Sequence, residues 1–454
     1  MTVSRTDLTT GPVSRHLIRL TVPMIWGIAA MVSFQLVDTY YVSLLGTRPL
    51  AAMSFTFPVT FFVFCIIMGF GISMSSVVSR LIGEGREEDV KRVTMHGLIL
   101  VFAVGLFLAV IGYGFRDALF RVMGADDDIR PLIHQYMTLW FFGVPFMATP
   151  FVGNAAMRAS GSTVAPAVIM VGVALLNAAL APLLVFGLYG FPRLELQGAA
   201  IATVFSNMVA MGTGLYILGH KKKMLLPLSG LHWPLFGDST KRLIIIALAA
   251  GLTSAINPFV NSIIISILSR YGHETVAAYG VVTRVEAFAF VILMALAVGM
   301  GPIIGQNFGA RNFTRVRETL RKAIGFSVLW CIAASAVIVL FAQQIAGGFS
   351  DDPTVIYYTK ICFALIAPSY LFNSLVSGWS SAFNAMGKPK ISLMMTVIKM
   401  LVLMIPAVFI GAHWGVIGVF MAISLVNIAT GLFFHIWSRR YCTDPECNLA
   451  PKTT

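Results

Sequence analysis

Residues 50–79 read LAAMSFTFPVTFFVFCIIMGFGISMSSVVS, a stretch with no Asp, Glu, Lys or Arg. A helix needs about 20 apolar residues to cross roughly 30 Å of hydrocarbon, and this run is long enough. Lipid offers no partners to backbone polar groups, so such a run forms a helix and not an open strand. Working outward, charge-free runs recur at 131–157, 159–191, 196–220, 243–269, 287–310, 323–350 and 361–387. They predict twelve spans, near 17–45, 51–78, 93–115, 132–156, 163–188, 197–219, 243–269, 276–304, 323–346, 357–382, 390–411 and 416–437. Composition agrees: 57% of the chain is hydrophobic and 11% charged, whereas soluble domains carry about 25% charged residues. The expected fold class is therefore all-α integral membrane. The first span is too long for a signal-peptide core and has no evident cleavage site, so it is expected to stay as an anchor.

The formal net charge of +13 is distributed by loop. One set of alternate loops holds Arg86, Lys91, Arg92, Lys221–Lys223, Lys241, Arg242, Arg311, Arg315, Arg317, Arg321, Lys322, Lys388, Lys390, Arg439 and Arg440. The other holds mainly Arg48, Arg116, Arg121, Arg130, Arg193 and Arg270. The positive-inside rule places the first set, and with it both termini, in the cytoplasm of a cell bounded by this plasma (inner) membrane. No basic domain stands clear of the helices, which argues against a nucleic-acid partner. Cys65, Cys331 and Cys362 fall within spans as small apolar filling, and Cys442 and Cys447 on the tail are too few ligands for a metal.

Shifting the chain by 226 residues superposes its halves. Ser43 falls on Ser269, Gly46 on Gly272, Phe62 on Phe288, Met74 on Met300 and Gly83 on Gly309 without a gap. After a three-residue adjustment around Pro145 and Pro368 the register returns at Gly161 and Gly387. Each half holds six spans, so both enter the membrane in the same sense, as parallel repeats. The expected organisation is an N-terminal lobe at 1–220, a linker at 221–242, a C-terminal lobe at 243–438 and a tail at 439–454.

The segment Gly301-Pro302-Ile303-Ile304-Gly305-Gln306-Asn307-Phe308-Gly309-Ala310 resembles the Gly-Gln-Asn-x-Gly-Ala motif of the MATE (multidrug and toxic compound extrusion) family. Pro23, Val37-Asp38, Leu45-Gly46 and Leu50-Ala51-Ala52 resemble the family's first helix. The stretch Asn154–Arg158–Gly161 is similar to its fourth-helix ending, and Asn177 with Pro182 to its fifth. The resemblance implies two six-helix lobes around a cavity and export driven by inward flow of protons or sodium ions. It makes Asp38 the cation-binding carboxylate, with Tyr136, Asn154, Asn177 and Thr203 as partners. Some members carry a second acid where this chain has Ala181, which favours protons over a sodium ion at Asp38 and Asn177.

A carboxylate at the bilayer centre costs about 2.5–3.5 kcal/mol, so Asp38 is expected to face a cavity or a partner, where it can take up and release a proton; a structural hydrogen-bond anchor is the alternative. Pro23 offers a hinge, or an ordinary tolerated kink. The repeat partner of Asp38 is Ile264, so the lobes differ chemically. Arg284 and Glu286, two residues apart and hence on different helix faces, either line the cavity, lock a closed state or serve as an interfacial pair. Lys399, mid-way along the eleventh span, is a candidate cavity residue, whereas Lys360 is expected to snorkel to the interface. His16, His96, His220, His273 and His413 lie near span ends. No phosphate-binding loop and no hydrolase or zincin motif occurs, so neither direct ATP use nor enzymatic activity is expected. No cofactor is implied. The expected activity is cation-coupled antiport of amphiphilic or cationic organic compounds by a monomer embedded in membrane lipid; the alternative is a flippase for lipid-linked saccharides.

Overall fold

The computed structural model describes residues 6–226 and 233–443. Parts of the expected linker (227–232) and tail (444–454) lie outside the described residues. Helices α1 (Val13–Ser43), α2 (Thr47–Gly83), α3 (Glu87–Val122), α4 (Arg130–Ala159), α5 (Val164–Phe186) and α6 (Glu195–Tyr216) form the first six spans. Helices α7 (Phe236–Leu268), α8 (His273–Gly309) and α9 (Phe313–Leu340) continue the series, and a short α10 (Ala342–Gly347) follows. The tenth span is two pieces, α11 (Pro353–Ile366) and α12 (Tyr370–Ala385), broken around Pro368, which has no N–H to continue the ladder. The eleventh joins α13 (Pro389–Val397) to α14 (Ile405–Gly411) through a π-helical stretch at Ile398–Met404. A turn with Gly415 at φ 75° separates α14 from α15 (Gly415–Thr443). Because α7 starts at Phe236, the linker is shorter than expected.

Two six-helix lobes result, and they exchange parts. Leu17 and Leu20, on the first half of α1, belong to the C-terminal core with Trp379, Phe383 and Met395. Their partners 226 residues on, Leu243 and Ile246 of α7, belong to the N-terminal core with Met74 and Leu98. Further along α1, Met24 and Ile28 still pack on Val291 and Ala295 of α8, while Val42 has joined the N-terminal core. Helices α1 and α7 thus each belong to both lobes.

The lobes close on each other at the end that carries the basic turns. There α2 and α8 cross at repeat-related glycines: a Cβ on Gly83 would overlap the Gln306 carbonyl, and a Cβ on Gly309 the Arg80 carbonyl. Only glycine permits that backbone approach, the small-residue packing that helices use in lipid. Ser73 Oγ donates to the Leu243 carbonyl at 2.7 Å and Ser76 Oγ to that of Asn384 at 2.5 Å. The segment before α1 is a strap across the junction. Thr6 N–H donates to Ser160 at 3.0 Å, and Leu8 N–H to Gln306 Oε1 at 3.2 Å. Gln306 Nε2 reaches back to the Ala159 carbonyl at 2.8 Å. Asn307 Nδ2 holds the Leu8 carbonyl at 3.0 Å, and Arg315 holds that of Gly11 at 2.9 Å. The Gly-Gln-Asn motif is therefore the knot of the closed end.

At the opposite end, around 44–46 and 269–272, no cross-lobe hydrogen bond or ion pair exists among the described residues. Phe62 lies on the α2 face that carries Gly69, Ser73 and Gly83, two helical turns before Gly69, yet is 61% exposed; its repeat partner Phe288 is 60% exposed. A face buried at one end and bare at the other means that the lobes diverge.

Gly309→Val is expected to wedge α2 from α8. Thiol labelling of Ser79→Cys, with Cys442 and Cys447 replaced, should then accelerate several-fold. Unchanged labelling contradicts the assignment of the glycine crossing as the closure.

Candidate functional site

The site is built on the α1–α5 pair, which is held at both ends by carbonyls that prolines release. A proline has no N–H for the carbonyl four residues earlier, and an unpaired carbonyl is costly away from water. Pro23 frees the Arg19 carbonyl, and Thr163 Oγ1 donates to it at 3.4 Å. Pro182 frees the Ala178 carbonyl, and Tyr41 OH donates to it at 3.4 Å. Between these ties Gly27 lies against Ala167. Pro23 therefore does not break α1, which runs unbroken through it; it sits near the crossover from one lobe to the other.

The Tyr41–Ala178 bond fixes the level of Asp38. Asp38 lies one turn before Tyr41, and Asn177 directly precedes Ala178, so acid and amide lie at a similar level of the pair. Asp38 is 7% exposed, and its Oδ1 has no hydrogen-bond partner. Only five residues of α1 follow it, so it sits in the last third of the helix. Asn177, fully buried, donates through Nδ2 to Thr203 Oγ1 at 3.2 Å, and its Oδ1 is unpartnered. Ser206, one turn beyond Thr203, is buried with its Oγ unpartnered. Tyr136 of α4 is buried in the neighbourhood of Asp38, with no hydrogen bond between the two among the described residues. Ala181 is completely buried, so no second carboxylate enters this pocket from α5.

Asn154 does not belong to the group. It follows Tyr136 by five full turns on the same face of α4, about 27 Å further along the axis. Its neighbour Gly153 lies against Leu98 and Leu218, near the basic end. The Asn154 side chain is buried with Oδ1 unpartnered, but at the other side of the membrane. Residue type matched the motif; helical rise separates it from Asp38.

In the C-terminal lobe, Glu286 lies on the inner face of α8 and Arg284 is exposed on the opposite side, so they do not act as a pair. Glu286 lies instead in the neighbourhood of Lys399, with no ion pair between them among the described residues. Lys399 is 2% exposed and donates to Asn373 Oδ1. It projects from the π-helical stretch, a rare widening of the helix that recurs at functional positions. Tyr279 and Tyr370 are buried; Tyr279 OH donates to Asn261 Oδ1 at 2.8 Å, and the Tyr370 hydroxyl has no hydrogen-bond partner. Lys360 is exposed and bonded to Gln343. His96 departs from expectation: it is buried, with Nδ1 3.0 Å from Ser239 Oγ. No cluster of metal-ligating side chains occurs among the described residues.

The MatE family profile matches residues 23–183 and again 249–410, so one profile fits each half and the two matches start 226 residues apart (249 − 23). The chain belongs to the MatE family. It is 35% identical over 447 residues, 98% of this chain and 99% of the other, to a protein of Shewanella oneidensis named FAD transporter. It is 26% identical to the multidrug export protein MepA of Staphylococcus aureus, over 95% of this chain and 96% of the other. The Vibrio cholerae MATE transporter VcmN in its bent form superposes with a TM-score of 0.89 at 26% identity, covering 95% and 97% of the two chains. The fold of this MATE protein is that of a multi-pass membrane transporter, and its family consists of transporters, not enzymes.

Tyr41, Ser206 and the Ala178 carbonyl were not anticipated. The signal for the carbonyl was present, since Pro182 stands four residues after Ala178. Tyr41→Phe is expected to cost about 1 kcal/mol by leaving that carbonyl unpaired. In a Pro182→Ala background, where residue 182 regains an N–H, the same change should cost little. Unfolding in mixed micelles measures the cycle; equal losses in both backgrounds contradict the pairing.

Proposed function

We propose that this MATE transporter exports amphiphilic, often cationic organic compounds from the cytoplasm in exchange for protons, and that Asp38 is the group that carries the proton. The observation behind this reading is the set of buried oxygens without donors, Asp38 Oδ1, Asn177 Oδ1 and Ser206 Oγ, around a carboxyl that has no ion pair among the described residues. What such a set lacks is a proton or a cation. Sodium prefers several oxygens with more than one charge among them, and Ala181 supplies none, which favours the proton. The basic end, taken as cytoplasmic by the positive-inside rule with both termini there, is the joined end, so the arrangement corresponds to an outward-open state of a protein in the plasma membrane.

In that state Asp38 lies little more than one turn from the open end of α1. Protonation from outside removes its charge and lets the pocket between α1 and α5 contract, which favours release of substrate. Because the first half of α1 is packed in the other lobe, rearrangement at Asp38 pulls on the closed end. Opening to the cytoplasm then exposes the pocket to a lower proton activity, Asp38 loses its proton, and the polar pocket re-forms with substrate bound. Apolar and aromatic cleft walls such as Phe62 and Phe288 suit amphiphiles.

A second reading is export of a flavin-type anion. The relative named FAD transporter is 35% identical, against 26% for the multidrug export protein. A lysine buried in the C-terminal lobe is also easier to reconcile with an acidic or carbonyl-rich cargo than with a cation.

Dye efflux from cells, with the proton and sodium gradients collapsed separately, tests the proposal. Efflux should stop when the proton gradient is removed, persist without a sodium gradient, and be absent in Asp38→Asn at normal membrane abundance. Sodium-dependent efflux, or normal efflux by Asp38→Asn, contradicts it.

A further inference from the structure

The C-terminal lobe has a half-open cavity of about 280 Å³ between α8, α9 and α12. Its walls are apolar, with Phe290, Leu293, Met294 and Ala297 along α8 and Ile324 on α9. Its polar lining is mainly on α12, with Asn373, Ser374 and Ser377, and Ser327 of α9 adds one hydroxyl. An apolar slot with a few placed polar groups is the usual form of a small-molecule site.

The chemistry of the polar edge follows from what stands behind it. Lys399 Nζ bonds to Asn373 Oδ1. An ammonium has donors and no acceptor, so the side-chain amide must turn its oxygen to Lys399, and its NH2 group is left as the free end. A charged donor on the oxygen polarises the amide and strengthens those N–H groups as donors, the more so in a low-dielectric interior. Glu286 lies on the same α8 face as Phe290, Leu293 and Ala297, at offsets of four, seven and eleven residues, and is not among the residues that line the cavity. What distinguishes the cavity is the direction of its hydrogen bonds. It offers donors, with serine hydroxyls beside them.

We infer that this cavity is a second substrate site, selective for planar heteroaromatic compounds with a carbonyl or anionic-oxygen edge, and that the Lys399–Asn373 pair sets that selectivity by presenting an amide NH2 to the ligand. The flat ring lies against Phe290, Leu293 and Met294, and its acceptor edge meets Asn373 and Ser377. A cationic aromatic ring gains from the same walls but meets only neutral serine hydroxyl oxygens as acceptors at the polar edge. The inference rests on the export reading for its physiological meaning, since it names a cargo class, but the binding itself needs no gradient.

Equilibrium binding to the purified full-length protein in detergent, without any ion gradient, tests it, with riboflavin and ethidium as the two probes followed by fluorescence. Asn373→Asp keeps an oxygen for Lys399 and so preserves the buried pair, while it removes the NH2 donors. It is expected to weaken riboflavin about tenfold, the effect of one lost hydrogen bond in a buried site, and to leave ethidium within about twofold. Lys399→Gln, which frees the amide to rotate, is expected to weaken riboflavin in the same direction. Riboflavin that fails to bind the unmodified protein, or binds Asn373→Asp unchanged, overturns the inference, as does a parallel loss of both probes. Coupling is read only in the efflux assay with collapsed gradients, and this site only in the gradient-free binding assay. Failure of proton coupling and failure of this site are thus read in different assays.

Discussion

Helix α1 is shared between the lobes, and the rest of the structure depends on how that sharing is arranged. Leu17 and Leu20 are core residues of the C-terminal lobe, whereas Asp38 and Tyr41 lie against α5 of the N-terminal lobe. Burying apolar side chains in the partner core gives roughly 1.5–3 kcal/mol for each large residue relative to exposure in water, less where lipid is the alternative. The first half of α1 is consequently held by packing that is independent of the site. Asp38 stands near one end of a continuous helix whose other end is anchored across the lobe boundary, with Pro23 near the point where allegiance changes.

The second recurring device is the released carbonyl. A proline inside a transmembrane helix is tolerated when something else satisfies the backbone it disrupts. Here Thr163 and Tyr41 do so for Arg19 and Ala178, and both partners come from the other member of the α1–α5 pair. The prolines thus convert two helix defects into two cross-links, and Asp38 is positioned by the outer one. The closed end uses the opposite economy of side chain: glycines remove Cβ atoms so that backbones approach, and the polar strap from Thr6 to Gly11 is held by side chains of the motif around Gln306 and Asn307.

Much of the fold was legible because lipid imposes a strict grammar. Charge-free runs had to be helices, and the 226-residue register implied equivalent lobes; even the paired glycines 83 and 309 stood out. Partner choice was not legible. Leu17 and Leu243 read as ordinary apolar positions, and hydropathy says that a residue avoids water without saying which core receives it. Asn154 was grouped with Asp38 by motif although helical rise alone separates it from Tyr136 by most of a membrane thickness. The strap was hidden for a different reason: residues 6–12 are short, polar and without periodicity, and only tertiary contacts give them a place. In the C-terminal lobe, Lys399 was noticed as a buried charge, but its meaning lay in Asn373, an amide with no distinguishing sequence context.

The central claim is that the charge on Asp38 controls the closed end through α1. Electron–electron distances between spin labels at Glu84→Cys and Ala310→Cys, repeat-related positions on the basic-end turns, report that end directly when Cys442 and Cys447 are replaced. The account predicts that the distance distribution shifts between low and high pH in the otherwise unmodified protein and that Asp38→Asn fixes it in one form at every pH. A pH-driven shift of the same size in Asp38→Asn contradicts it.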